Sequence, residues 1–176
     1  GLGEIGGQWY VFFHRQAGLG GFDRQAMVAP VELNVTEGPD GKVEISEAEY
    51  TSEGFELDGL DPLERHSAGI ACWFTGPRPA EKDRLGNRYS GSYVQPFRPE
   101  WDGKTDPYDL SINHNPVVNN TAGSVVGYKY FNFDGLRAAR ARHLELNLIP
   151  QGVKGRIEVM VDDPVSGMRI GRFRLN

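Results

Sequence analysis

RIEVMVDDPVSGMRIGRFRL, residues 156–175, decides the fold class. Ile157, Val159 and Val161 repeat every second position, the period of a strand with one face covered. DDPVSG then supplies Asp, Pro, Ser and Gly, the residues of a hairpin loop. In MRIGRFRL the apolar positions Met168, Ile170, Phe173 and Leu175 break strict alternation. The phase slips across Gly171, which predicts a bulge or a local twist there.

The same grammar runs through the chain. Strands are predicted over 9–14, 25–33, 43–52, 68–74, 89–97, 110–113, 124–133, 143–149, 156–161 and 168–175. Turn-rich stretches such as GLGGFD, EGPDGK, TGPRPAEKD and PEWDGKTDP separate them. Strand-sized runs about 8–12 residues apart read as a β-sandwich or barrel. Only LRAARARHLEL (136–146) could hold a turn or two of helix. The N-terminal part is a hairpin in its own right: GQWYVFFHRQ (7–16) and RQAMVAPVEL (24–33) flank a glycine-rich turn. Two strands alone are marginally stable, so this hairpin needs something to pack against.

Composition narrows the function. The 176 residues include 23 glycines, 11 prolines and 11% aromatics, which suits many turns and short strands. The net charge is −5, and the basic residues look scattered apart from Arg137, Arg140, Arg142 and His143. No nucleic-acid partner is expected of such a chain. No apolar run approaches the roughly 18 residues of a membrane span, so no membrane partner is expected either. The single Cys72 excludes an internal disulfide, and its setting in AGIACWF reads as a buried, inert thiol. Asn34 and Asn119 carry glycosylation sequons.

Glu44, Glu47, Glu49 and Glu53 in EISEAEYTSE read as a solvated strand edge. Two loops could gather oxygen ligands for calcium: one with Asp58, Asp61 and Glu64, the other with Asp102, Asp106 and Asp109. The four histidines show no paired spacing, which argues against zinc. The stronger pattern is a mixture of rings and amides over 89–120: Tyr89, Tyr93, Trp101 and Tyr108 with Asn113, Asn115 and Asn120. A sugar offers an apolar C–H face to a ring and a rim of hydroxyls to amides. These seven residues are the sequence's candidate carbohydrate-binding set.

Longer stretches resemble a known family. GLGEIGGQWYVFFHRQ and FDRQAMVAPVEL resemble the last strands of the catalytic domain in family 43 glycoside hydrolases. VEISEAEYTSEGF (43–55), SAGIACWFTGP (67–77), GSVVGYKYFNF (123–133) and KGRIEVMVDDPVSGMRIGRFRL (154–175) resemble the sandwich appended to one branch of that family. That sandwich is related to family 6 carbohydrate-binding modules. The resemblance implies an all-β chain in which a hairpin left over from a five-bladed β-propeller (1–36) precedes a jelly-roll-like β-sandwich (37–176). It implies arabinose- or xylose-containing plant polysaccharides as the polymer, and a secreted or periplasmic location.

The family's three catalytic carboxylates come from earlier blades, so no acidic residue here carries over as catalytic. Arg15 and Arg24 carry over as structural or substrate-side residues. The implied partners are an oligosaccharide of that polymer, together with the remaining propeller or a partner chain. Against this accessory, sugar-binding role stands a purely structural sandwich that binds no sugar, and an independently hydrolytic chain.

Overall fold

The computed structural model describes residues 1–16, 24–77, 91–95, 115–140 and 143–175. The protein is all-β, in keeping with the expected sandwich, and none of its described sheets closes into a barrel. It divides into two compact units, Gly1–Ala139 and Arg140–Asn176. No helix among the described residues is long and apolar enough to cross a membrane.

The first unit opens with a three-stranded antiparallel sheet of β1 (Leu2–Ile5), β2 (Gln8–Gln16) and β3 (Arg24–Val31). The expected hairpin is there, with Trp9 opposite Val31 and Arg15 opposite Gln25. β1 adds a strand the sequence did not announce, because LGEI is too short and mixed to show a period. β2 is therefore central, and the buried Tyr10, Ala29 and Val31 mark the sheet's covered area. Tyr10 meets Phe55 edge-on at 5.3 Å, and Phe13 meets Tyr50 edge-on at 5.2 Å.

Short ladders complete this unit. β4 (Leu33–Val35) pairs with β5 (Val43–Ile45), so the strand expected over 43–52 stops early and 46–52 runs as irregular chain. A 3₁₀ turn at Ala68–Ile70, capped by the Ser67 hydroxyl accepting from the Gly69 amide, leads into β6 (Trp73–Thr75). β7 (Tyr93–Val94) pairs with β8 (Val117–Val118), and β9 (Val125–Gly127) pairs with β6. Gly127 lies opposite Trp73, where a Cβ would come within 2.9 Å of the Trp73 Cβ; only glycine permits that approach. Cys72 is buried as expected, its thiol directed at the Gly127 carbonyl. The helical turn α1 (Leu136–Ala139) falls where one was predicted.

The second unit is built on the hairpin of β10 (Gly155–Val161) and β11 (Met168–Leu175). The slip near Gly171 is real. Val159 faces Gly171 while Met160 faces Arg169, which leaves Ile170 as the extra residue of a bulge. Residues 143–149, predicted as a strand, join no ladder.

The β10–β11 connection is organised by Asp163. Its carboxylate accepts from the amides of Val165 (2.9 Å) and Ser166 (2.6 Å) and from the Ser166 hydroxyl (2.8 Å). The Ser166 amide is the chief cause that holds this carboxyl below the ordinary aspartate range. A group with a depressed folded value stabilises above its unfolded pKa and loses that effect as pH falls through the folded one. Asp163→Ala is thus expected to speed hydrogen exchange at the Ser166 amide at neutral pH. In strong acid the wild type should lose most of that difference. Equal exchange in the two proteins at neutral pH would show that the loop is held by its backbone alone.

Candidate functional site

Residues 53–60 and 128–134 come together through a parallel bridge between Leu60 and Phe131. The Leu60 amide donates to the Tyr130 carbonyl (2.9 Å), and the Asn132 amide donates to the Leu60 carbonyl (3.0 Å). Gly59, at φ +84°, makes the turn into this bridge, where a Cβ would come within 2.9 Å of the Asn132 nitrogen. The two segments frame an open depression of about 590 Å3 lined by Glu53, Leu57, Asp58, Tyr130, Asn132, Phe133 and Asp134, among others.

Rings make up part of its lining. Tyr130 is 50% exposed and Phe133 is 48% exposed, too much surface for either to be a core residue. Phe131 stacks on Phe133 at 6.2 Å and is itself met edge-on by His66 at 5.3 Å. The lining also carries polar groups: Asn132, whose side-chain oxygen accepts from the Asp134 amide, and the carboxyls of Glu53, Asp58 and Asp134. Burial pushes the Glu53 carboxyl above the ordinary range, against a hydrogen bond from Thr51 that lowers it.

Beside the depression Glu49 accepts from Lys129, with which it forms an ion pair, and from the Tyr130 hydroxyl at 3.1 and 3.2 Å. The Lys129 hydrogen bond is the main cause that lowers the Glu49 carboxyl. The same contact raises Lys129, and the bond to Glu49 raises the Tyr130 phenol. Tyr128, whose hydroxyl lies 3.2 Å from the Ala68 carbonyl, is pushed up to about 12 by burial.

The signs fix the pH window of the pair. The Glu49 contribution is complete above an unfolded glutamate's pKa and vanishes as pH falls through the lowered folded value. The Lys129 contribution is complete below an unfolded lysine's pKa and is lost as pH rises through the raised one. Both side chains are substantially exposed, so the pair stabilises by under about 1 kcal/mol. Glu49→Gln should lower the melting temperature slightly at neutral pH, and that difference should shrink progressively as pH falls below the ordinary glutamate range; a difference that stays constant into strong acid would refute the linkage.

The sequence's own candidates fall elsewhere. Tyr89, Trp101, Tyr108 and Asn113, and the calcium candidates Asp102, Asp106 and Asp109, lie outside the described residues. The β7–β8 ladder brings Tyr93 near the chain that carries Asn115 and Asn120. Tyr93 and Asn115 are half-buried, and the Asn120 amide donates to the Val117 carbonyl of its own turn (3.0 Å). The other calcium loop, with Asp58, Asp61 and Glu64, is described. Among the described residues no group of three or more His, Cys, Asp or Glu side chains is arranged to hold a metal ion.

Arg15 turns inward. Its Nε donates to the Gln25 side-chain oxygen (2.8 Å) and its Nη2 to the Gly69 carbonyl (3.3 Å), while its guanidinium lies 5.0 Å from the centre of the Phe74 ring. Arg24 stands exposed at the first position of β3.

Sequence reading missed the 130–134 depression. It grouped Glu53 with a solvated edge and Asp58 with a loop. The available signal was YKYFNFDG itself, where four rings in six residues exceed what one covered strand face can take.

A search of curated proteins finds similarity to a xylosidase/arabinosidase of Thermoclostridium stercorarium, 26% identical over 140 residues. The similarity relates the chain to a glycoside hydrolase. It covers 79% of this chain and 27% of that protein, so the chain spans little more than a quarter of its relative's length. No family model matches the chain. No solved structure matches it either.

Proposed function

We propose that this chain is a non-catalytic, sugar-binding accessory region of a glycoside hydrolase that acts on arabinose- or xylose-containing plant polysaccharides. In this reading residues 1–36 are the last strands of a family 43 propeller. Residues 37–176 form a jelly-roll-like sandwich akin to family 6 carbohydrate-binding modules. The region would work outside the cytoplasm, where such polymers are found, with the rest of the propeller as its structural partner.

The carrying observation is the similarity to a xylosidase/arabinosidase over most of this chain and little of that protein. The exposed rings of Tyr130 and Phe133 beside Asn132 and three carboxyls support the sugar-binding half. Rings cover the C–H face of a sugar, while amide and carboxylate groups take its hydroxyls. Binding of this kind raises the local concentration of polymer rather than the chemical rate.

Titration of the chain with xylo- and arabino-oligosaccharides, followed by tryptophan and tyrosine fluorescence, tests this. Binding in the millimolar range or tighter is expected. Tyr130→Ala should weaken it about tenfold if the depression is the site, and Trp101→Ala if the loop set is. No spectral change at millimolar sugar would refute sugar binding and favour the purely structural sandwich. Release of product from aryl arabinosides or xylosides would refute the non-catalytic role.

A further inference from the structure

The β10–β11 register gathers charge that is dispersed in the sequence. Arg156 lies directly opposite Arg174, and Glu158 directly opposite Arg172. Alternate positions share a face, so these four side chains line one side of the hairpin while Ile157, Val159, Phe173 and Leu175 line the other. The bulge at Ile170 brings Arg169 to the same carboxylate. One oxygen of Glu158 has Arg172 Nη2 at 2.8 Å and Nε at 3.1 Å, Arg169 Nη1 at 3.4 Å and Arg156 Nε at 3.5 Å.

The charges do not balance. Three guanidiniums share one carboxylate, and Arg174 has no partner among the described residues. Like charges directly opposite on neighbouring strands destabilise a sheet, yet Arg156 and Arg174 stand so. Arg156, Arg169 and Arg172 keep 66%, 49% and 46% of their side-chain surface in solvent. Residues 140–176 hold seven basic against four acidic residues in a chain whose net charge is −5. The single basic cluster read from sequence, at 137–143, is therefore joined by a second that only strand pairing assembles.

We infer that the arginine face of the β10–β11 hairpin docks a carboxylate-bearing polysaccharide, a polymer of uronic acids or one substituted with them. This rests on the reading that the chain serves polysaccharide hydrolysis. Guanidinium forks match carboxylates two bonds at a time. Arg172 and Arg174, two positions apart on a strand, repeat at roughly 6.6 Å, so the face offers guanidinium groups in a row along the strand. The face carries no ring on which a base could stack, since Phe173 points to the other side, and this disfavours single-stranded nucleic acid.

The test uses the full chain and four probes: tetragalacturonate, its methyl ester, xylotetraose and a short oligothymidylate. Tetragalacturonate should bind and weaken roughly tenfold between about 20 and 200 mM NaCl, and the neutral ester should not bind this face. Arg156→Gln with Arg174→Gln should lower tetragalacturonate affinity roughly tenfold without lowering the melting temperature. Glu158→Gln should raise it several-fold, a sign that a merely structural arginine–glutamate network would not produce.

Ester binding equal to that of the acid would overturn the inference. So would an unchanged or lowered affinity in Glu158→Gln, arginine-dependent oligothymidylate binding of equal strength, or salt-sensitive self-association in place of uronate binding. Xylotetraose binding without tetragalacturonate binding overturns this inference and leaves the proposed function standing. Tetragalacturonate binding without xylotetraose binding supports the inference and removes the neutral-sugar site.

Discussion

Tyr10→Ala is expected to lower the stability of the first unit by about 3–5 kcal/mol, the range for truncating a buried aromatic ring. Tyr10 retains 3% of its surface on the central strand of the only three-stranded described sheet. It stands between Gly3 of β1 and Pro30 of β3 and is met edge-on by Phe55. The loss comes from the ring and the void it leaves, since the loop that carries Phe55 relaxes only in part. Tyr10→Phe keeps the ring and should cost little. Urea unfolding of the two variants decides the matter, because domains have about 5–15 kcal/mol in all. A loss under about 1 kcal/mol in Tyr10→Ala would mean that the sheet is not held by this contact.

Arg15→Ala carries the second large effect, about 2–3 kcal/mol of stability, with no change in sugar affinity. Two charge-assisted hydrogen bonds and a cation–π contact would be lost together. The Gln25 amide, which donates to the same Gly69 carbonyl at 2.8 Å, would lose the partner that orients it. Burial is the leading cause that lowers the Arg15 pKa, and no carboxylate is among its partners in the described residues. Arginine stays charged at every working pH, so the expected loss does not vary between about pH 5 and 9. Arg15→Lys should rescue only in part, because an ammonium cannot place two donors as the planar fork does. Denaturation and sugar titration of the same variants separate the two roles that the resemblance left open for this residue. Intact stability with weakened sugar binding would make Arg15 a substrate-side residue instead.

The clamp shows what escapes a sequence reading. Arg15 is legible as the polar end of an apolar strand, but its partner Gly69 lies 54 residues away and offers a backbone carbonyl that no residue type announces. Glu49 and Lys129 are 80 residues apart. EISEAEYTSE alternates well enough to suggest a strand, yet the ladder ends at Ile45. The following residues instead reach Lys129, whose amide and carbonyl bond to Ser52. A backbone partner brought by the fold outweighed local propensity there.

What the sequence alone determined was local: the all-β class, the paired strands β2–β3 and β10–β11, the slip beside Gly171 and the buried thiol. Each rests on a period of two or on a turn residue, which a few neighbouring positions specify completely. Only the tertiary structure decided which loops meet and which arginines stand opposite one another. The ring-lined depression needs Gly59 and Leu60 to pair with 131–132, and the arginine face needs the β10–β11 register. Strand register and loop convergence are set by hydrogen bonds and packing between distant segments, and one-dimensional periodicity carries no record of which segments those are.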